Sequence, residues 1–297
     1  MKIKMQKTAT FTSALKTYGS LTKPGIILGN VITAAGGFVL ASKGHYDFSL
    51  LSVTLIALSL IIASACVFNN YIDRDFDEKM TRTQHRALVR RLISQKQAVI
   101  FAIFLGGLGI SFFAMFINFL TLAIVCFGFF VYIVLYSFAK YRSTHATLIG
   151  SIAGATPPVV GYCAVSNQFD VGALLFFTMV ALWQMPHFFA IAIYRLEDYA
   201  RASIPVLPVK KGIYITRIQM LFYISAFIVV SSLLTFLNYT GLIYLFMTAV
   251  LGTIWLLLCI QGFNSDQDQQ WARKMFFFSL IVITTLCFVI PFSTINV

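Results

Sequence analysis

Nine runs of apolar residues, each close to the length that crosses a bilayer, leave this chain few ways to fold. They fall at about 25–42, 49–70, 97–117, 119–138, 146–164, 171–194, 216–237, 240–262 and 275–292. A helix needs roughly 20 apolar residues to span a membrane's hydrocarbon, and its backbone polar groups are then satisfied within the segment. Only 11% of the 297 residues are charged and 59% are hydrophobic, where a soluble domain carries about a quarter charged residues. Pro24 opens the first run, in the manner of proline at a helix start. No apolar core lies within the first twenty residues, so a cleaved signal peptide is not expected. The expected fold class is all-α: a polytopic membrane protein of nine transmembrane helices, one domain over residues 1–297.

The net charge of +12 would suit a nucleic-acid partner if it formed one patch. It follows the spans instead. With the N-terminus placed in the cytoplasm, 21 of the 22 Lys and Arg residues fall on one side, and only Lys43 falls on the other. Cytoplasmic loops of membrane proteins carry such an excess. The spacing therefore predicts a cytoplasmic N-terminal segment (1–23), two large cytoplasmic loops (71–96 and 195–215), short outer turns and an outer C-terminus. The two large loops follow the second and sixth spans, four spans apart. This suggests two halves, each giving one polar loop to a central cavity open to the cytoplasmic side.

The densest charge begins where the second span ends, in NNYIDRDFDEKMTRTQHRALVRR (69–91). Asn69, Asp73 and Asp77 recur every four residues. On a helix each step of four drifts by only about 40° and climbs about 6 Å, so three oxygen-bearing side chains form one stripe. The bland reading is a solvated helix end whose acids balance the arginines. Against it, Asn69 and Asn70 sit where a polar group within a span is expensive and is a functional candidate by default. Carboxylates that hold a hard cation, with Arg82, Arg86, Arg90 and Arg91 close behind, are what a diphosphate needs.

Other signals are weaker. Cys66, Cys126, Cys163, Cys259 and Cys287 stand singly in apolar runs and read as packing residues, with neither a disulfide framework nor a zinc site. Glu197 and Arg201 are four apart, an ordinary helix pair. His187 lies in the sixth span, eleven residues before Asp198. On one continuous helix the two would differ by only about 20° and lie about 16 Å apart. Tyr194 falls on the same stripe, so all three would face one cavity. Such a histidine is either hydrogen-bonded in the core or part of a pocket. Gly36-Gly37, Gly106-Gly107, Gly150 and Gly154 permit close helix packing. Pro157-Pro158 should break the fifth helix, a feature of cavity walls in membrane proteins.

The run N-N-x-x-D-x-x-x-D-x-x-M-x-R-T at Asn69–Thr83 resembles the signature of the intramembrane aromatic prenyltransferase superfamily. Three further stretches resemble its protohaem IX farnesyltransferase branch, and the likeness spans essentially the whole chain. They are Leu21-Thr22-Lys23-Pro24, GSIAGATPPVVG (150–161) and WQMPHFFAIAIYRLEDYARASIPVLP (183–208). The resemblance implies farnesyl diphosphate and haem b as substrates and haem O as product. It gives Asn69, Asp73 and Asp77 the catalytic role of holding Mg²⁺ against the diphosphate, with Asp198 a candidate further metal contact. Asn70, Arg82, Arg86, Lys140, Arg142, His187, Tyr194 and Asp198 become candidate substrate contacts. Two departures stand out. The family's Arg-Pro is Arg86-Ala87 here, and its Lys-Arg pair is Lys140-Tyr141-Arg142, with Arg142 the candidate second member. A bacterial inner-membrane location is implied, and haem A synthase or a terminal oxidase is an implied partner. Two rivals remain at this point. A sister prenyltransferase would use an aromatic quinone precursor, against which the 183–208 stretch argues. A secondary transporter would use the Asp stripe as an ion site, though such sites tend to lie near mid-membrane.

Overall fold

The computed structural model describes residues 11–293. Three of the lysines expected in the N-terminal segment, Lys2, Lys4 and Lys7, lie outside the described residues, as does the end of the chain from 294. Among the described residues there is no strand, and nine helices are long and apolar enough to cross a membrane. A short helix α1 (Phe11–Leu21) comes first. The spans are α2 (Pro24–Ser42), α3 (Phe48–Asp77), α4 (Gln95–Phe116), α5 (Phe119–Ala139), the pair α6 (Ala146–Gly154) and α7 (Thr156–Ser166), and α8 (Val171–Tyr194). After the short α9 (Leu196–Arg201) come α10 (Leu207–Phe236), α11 (Leu242–Gln261) and α12 (Asp268–Val289).

Polar caps mark where several spans begin. Asp47, Asn118 and Asp170 each accept a hydrogen bond from the backbone N–H three residues on, at 2.8–3.0 Å. Ser94 and Gln97 form a reciprocal capping box. These side chains satisfy N–H groups that a helix start leaves without partners.

Two boundaries differ from the sequence expectation near the site. The second span does not end at 70, because α3 continues as helix to Asp77 and carries the whole Asn/Asp stripe. Nor is 195–215 an open loop. It holds α9 and the first turns of α10, which then break at Gly212 (φ 82, ψ 165). Glycine alone adopts that backbone region freely. The expected break in the fifth span is present, with α6 ending at Gly154 and α7 starting at Thr156, just before the two prolines.

The spans form a ring. Helix α3 packs on α4, α8 on α10 and α12, and α12 returns to α2. The fifth span is the most enclosed, with 72% of its membrane window buried. Its half α7 lies against α2, α3, α5 and α8. At Gly161 an added Cβ would run into the Ala34 carbonyl, and at Gly37 into the Pro158 carbonyl. The α2 and α7 backbones touch there because neither residue carries a side chain. Helix α7 thus fills the end of the ring away from Asp77, and the buried carboxylates Asp73, Asp77 and Asp198 all lie at the other end.

Candidate functional site

Asn69, Asp73 and Asp77 are all buried, at 4%, 2% and 4% exposure. Burying a carboxylate is costly unless a charge or hydrogen bond answers it, and here each stripe residue has a cation. Lys23 Nζ donates to Asn69 Oδ1 at 2.6 Å. Lys140 Nζ donates to Asp73 Oδ2 at 2.5 Å, and the Tyr141 hydroxyl donates to Asp73 Oδ1. Arg86 Nη1 donates to Asp77 Oδ2 at 2.5 Å. The cations come from three separate places: the residue before α2, the residue after α5, and the loop after α3. Three cations face two carboxylates, so the cluster carries an excess positive charge.

Local structure explains how the cations reach the stripe. Lys23 has a left-handed backbone (φ 52) at the head of α2, held between the end of α1 and Pro24. Asn70 Nδ2 donates to the Leu21 carbonyl at 2.8 Å and ties that corner to α3. Residues Val131–Tyr136 of α5 form a π-turn, a feature often found at functional sites. There Tyr132 and Tyr136 stack with centroids 5.5 Å apart. Tyr141 stacks on Phe76 of α3 at 3.7 Å, which aims its hydroxyl at Asp73. Burial, then the nearby Arg86, brings the Lys23 pKa down to about 8, with Lys140 adding to the shift. Burial works to lower the Lys140 value too, but Tyr136 and the Asp73 carboxylate hold it well above the usual lysine range. Burial pushes the Tyr141 phenol up, with Asp73 adding to it.

The second loop closes over the first. Asp198 is buried, and its Oδ1 accepts from the Thr81 backbone N–H at 3.0 Å. Arg201 donates to Thr81 Oγ1 at 2.8 Å and pairs with exposed Glu197 at 3.3 Å. Met80, Ala202 and Ile204 form a small apolar seam beneath these bonds.

The remaining candidates scatter. Arg142 is exposed, its guanidinium 3.8 Å over the Phe138 ring, and Tyr141 is the residue that reaches Asp73 in its place. Arg82 is exposed on the loop. Tyr194 is half-buried under the Arg195 guanidinium at 4.4 Å. His187, Tyr194 and Asp198 do not share one continuous stripe, because the helix breaks at Arg195 (φ −113, ψ 28) and Asp198 lies on α9. His187 faces α12, with Nδ1 2.7 Å from Ser279 Oγ and its ring stacked on Trp183 at 4.8 Å. The Ser279 hydroxyl donates its single proton to the Phe276 carbonyl at 2.6 Å. It must therefore accept from His187 Nδ1–H, which leaves Nε2 with a lone pair.

The donor set suits a hard cation. Asn69, Asp73 and Asp77 offer oxygen only, from one helix face. Among the described residues no three His, Cys, Asp or Glu side chains group to hold a metal on their own. Mg²⁺ is commonly held by one or two carboxylates together with substrate phosphates rather than by an all-protein cage. Buried Asn69 Nδ2 and Asn70 Oδ1 have no partner, which leaves polar atoms at the stripe available to a ligand. Lys23, Tyr136 and Tyr141 escape a reading by spacing, because their partners lie 46 or more residues away or across a π-turn.

A model described as the UbiA prenyltransferase family matches residues 30–281. A protoheme IX farnesyltransferase of Protochlamydia amoebophila is 53% identical over 279 residues, covering 94% of this chain and 99% of its own. A protein of the same name from Pseudomonas syringae pv. syringae is 50% identical over 274 residues, 92% of this chain and 93% of its own. Among solved structures, a digeranylgeranylglyceryl phosphate synthase superposes with TM-score 0.77 at 19% identity, over 95% of this chain and 99% of that one. A UbiA homolog from Archaeoglobus fulgidus bound to GPP and Mg²⁺ superposes with TM-score 0.65 at 16% identity, over 93% and 99%. Likenesses at such identity speak for the fold alone.

Proposed function

This chain belongs to the UbiA prenyltransferase family, alongside its protohaem IX farnesyltransferases, and on that premise we propose how its residues carry out the reaction. It is a membrane-embedded prenyltransferase. It moves the farnesyl group of farnesyl diphosphate to a vinyl side chain of protohaem IX, and with addition of water this gives haem O and diphosphate. Transfer is metal-dependent, and Mg²⁺ held by Asn69, Asp73 and Asp77 would neutralise the diphosphate as it leaves.

Lys23, Arg86 and Lys140 bind the diphosphate oxygens, and Arg82 reaches the same group from the loop. These cations rest on stripe oxygens until substrate arrives. Negative charge then builds on the departing diphosphate in a site that already holds its counter-charges, which lowers the barrier to leaving. The allylic cation that remains is attacked by the porphyrin vinyl group, and water adds to the cation formed on the porphyrin side and gives up a proton to the released diphosphate, leaving a hydroxyl group. Tyr132 and Tyr136 face the first cation with aromatic surface. Asn70 keeps Leu21 and Lys23 in register with the stripe, and Tyr141 keeps Asp73 in place.

The porphyrin lies along α8. His187, with Nε2 unprotonated, is the contact for its iron, and Tyr194 sits at the mouth. Asp198 holds the two loops together rather than binding metal. The stripe end of the bundle faces the cytoplasm of the bacterial inner membrane, where haem A synthase or a terminal oxidase would receive the product. The observation that carries this reading is a buried Asn/Asp stripe ringed by three cations at the end of a span. Purified protein given farnesyl diphosphate, haem b and Mg²⁺ forms haem O by mass spectrometry. Asp73→Asn lowers the rate by about 10²–10³, the usual effect of removing one preorganised charge-stabilising group. Haem O formation at an unchanged rate in that variant, or without a divalent cation, would overturn the assignment.

A further inference from the structure

We propose that the cleft between α11 and α12 is a binding site for one anionic glycerophospholipid, with the phosphodiester on Arg273 and Lys274 and an acyl chain along the helices. The cleft has about 930 Å³ of space between the end of α11 and the start of α12. It shares Leu258, Gln261, Gln270 and Lys274 with a second recess of about 390 Å³ between the helix ends, where Ser265, Asp266 and Gln267 join the lining. The two compartments form one space with a polar head and an apolar body. Ile254, Leu257, Phe277 and Ile281 line the body and are 46–53% exposed, so it opens sideways toward the bilayer. From Lys274 to Ile281 the apolar wall runs about 10 Å down the helix. That is the outline of a membrane amphiphile, and a bilayer lipid reaches it without leaving the membrane.

Charge selects the head. Arg273 and Lys274 are exposed, and among the described residues neither has an ion pair. Asp268, about a turn and a half before them, is taken by Arg217 of α10, whose guanidinium also lies 4.9 Å over the Trp271 ring. Asp266 is the one acid that lines the recess. Two cations against one carboxylate leave a single positive charge, which matches one phosphodiester. Basic recesses between spans at a membrane face have this chemistry for acidic headgroups. The cleft contains none of the stripe residues or their cations. It opens at the same membrane face as they do, because α10 starts beside α9, α11 returns, and Tyr214 meets Phe263 at 5.7 Å.

The test is native mass spectrometry of the full-length protein in mild detergent, titrated with phosphatidylglycerol and phosphatidylcholine of equal chain length. Wild type is expected to retain one phosphatidylglycerol with at least a tenfold preference. Arg273→Gln/Lys274→Gln loses that preference, and Arg273→Lys/Lys274→Arg keeps it. Ile254→Trp, which fills the apolar part and leaves the charges, lowers retention of both lipids. Equal retention of the two lipids by wild type, or an unchanged preference in the glutamine variant, overturns the proposal. So does displacement of phosphatidylglycerol by farnesyl diphosphate, which would make the cleft a second site for the isoprenoid. Haem O synthesis measured on the same samples reports on the active site separately.

Discussion

Asp198 shows how one side chain divides two explanations of the same motif. A short acidic pair after the sixth span could bind metal. Here one carboxylate oxygen accepts from the Thr81 N–H, across 117 residues of sequence. Asparagine can accept the same bond through its own Oδ1, but it is a poor substitute for a carboxylate on a divalent cation. Asp198→Asn is therefore expected to keep most of the haem O rate and an unchanged Mg²⁺ requirement. Asp198→Ala leaves the Thr81 N–H without a partner. A hydrogen bond to a charged group is worth about 1.5–3 kcal/mol, so the rate should fall by about tenfold or more if loop closure is part of the working state. Initial rates at graded Mg²⁺ separate the outcomes, and a higher Mg²⁺ demand in the asparagine variant would restore the metal role. The Asn/Asp stripe could be read from sequence because its geometry is local, a period of four on one helix. Arg86, nine residues beyond Asp77, could be read the same way, but two of the stripe's partners could not. Lys23 reaches Asn69 across 46 residues and Tyr141 reaches Asp73 across 68, and no spacing rule links them. Arg142 was a candidate as the second member of the family's Lys-Arg pair, yet the turn after α5 sends it outward over Phe138.

At the scale of elements, hydrophobic run length marks the spans well because the membrane demands a fixed thickness of apolar surface. It marks their polar ends poorly. Helix α3 continues seven residues past its apolar run, because its last two turns are stabilised by buried ion pairs rather than by lipid. The helix α9 and the π-turn of α5 depend on packing that a hydropathy pattern does not carry. The contact of α2 with α7 is different, since the glycines that permit it stand in the sequence. At Gly161 the obstacle to a larger residue is the α2 backbone at Ala34, which cannot rotate away as a side chain could. Gly161→Ala should push α2 and α7 apart and cost about 1–3 kcal/mol, the range for overpacked cores. Gly107 of α4 has open space around its Cα, so Gly107→Ala should be neutral or gain up to about 1 kcal/mol from helix propensity. Thermal melting of the two variants in one detergent checks this. Equal melting points would show that the helices yield without cost.

For the whole molecule, the question that shapes function is which way the ring faces. Loop charge argues that the stripe end lies in the cytoplasm, since 21 of the 22 Lys and Arg residues fall on that side when the spans are threaded in order. The described helices agree with that threading in number, and each span returns the chain to the opposite end. Lys23, Lys140 and Arg86 meet at one end, while Lys43 stands at the other. The positive charge thus serves two ends at once. Its loop portion would direct insertion, and its buried portion gathers around the Asn/Asp stripe. Two exposed residues test the orientation, Gln168 between α7 and α8 and Gln267 between α11 and α12. Cys126 is exposed, so Cys126→Ser provides the background for Gln168→Cys and Gln267→Cys. A membrane-impermeant maleimide applied to spheroplasts should label Cys at 168 at once and Cys at 267 only after the membrane is opened. The reverse pattern would place diphosphate release outside the cell and overturn the orientation, while leaving the stripe chemistry intact.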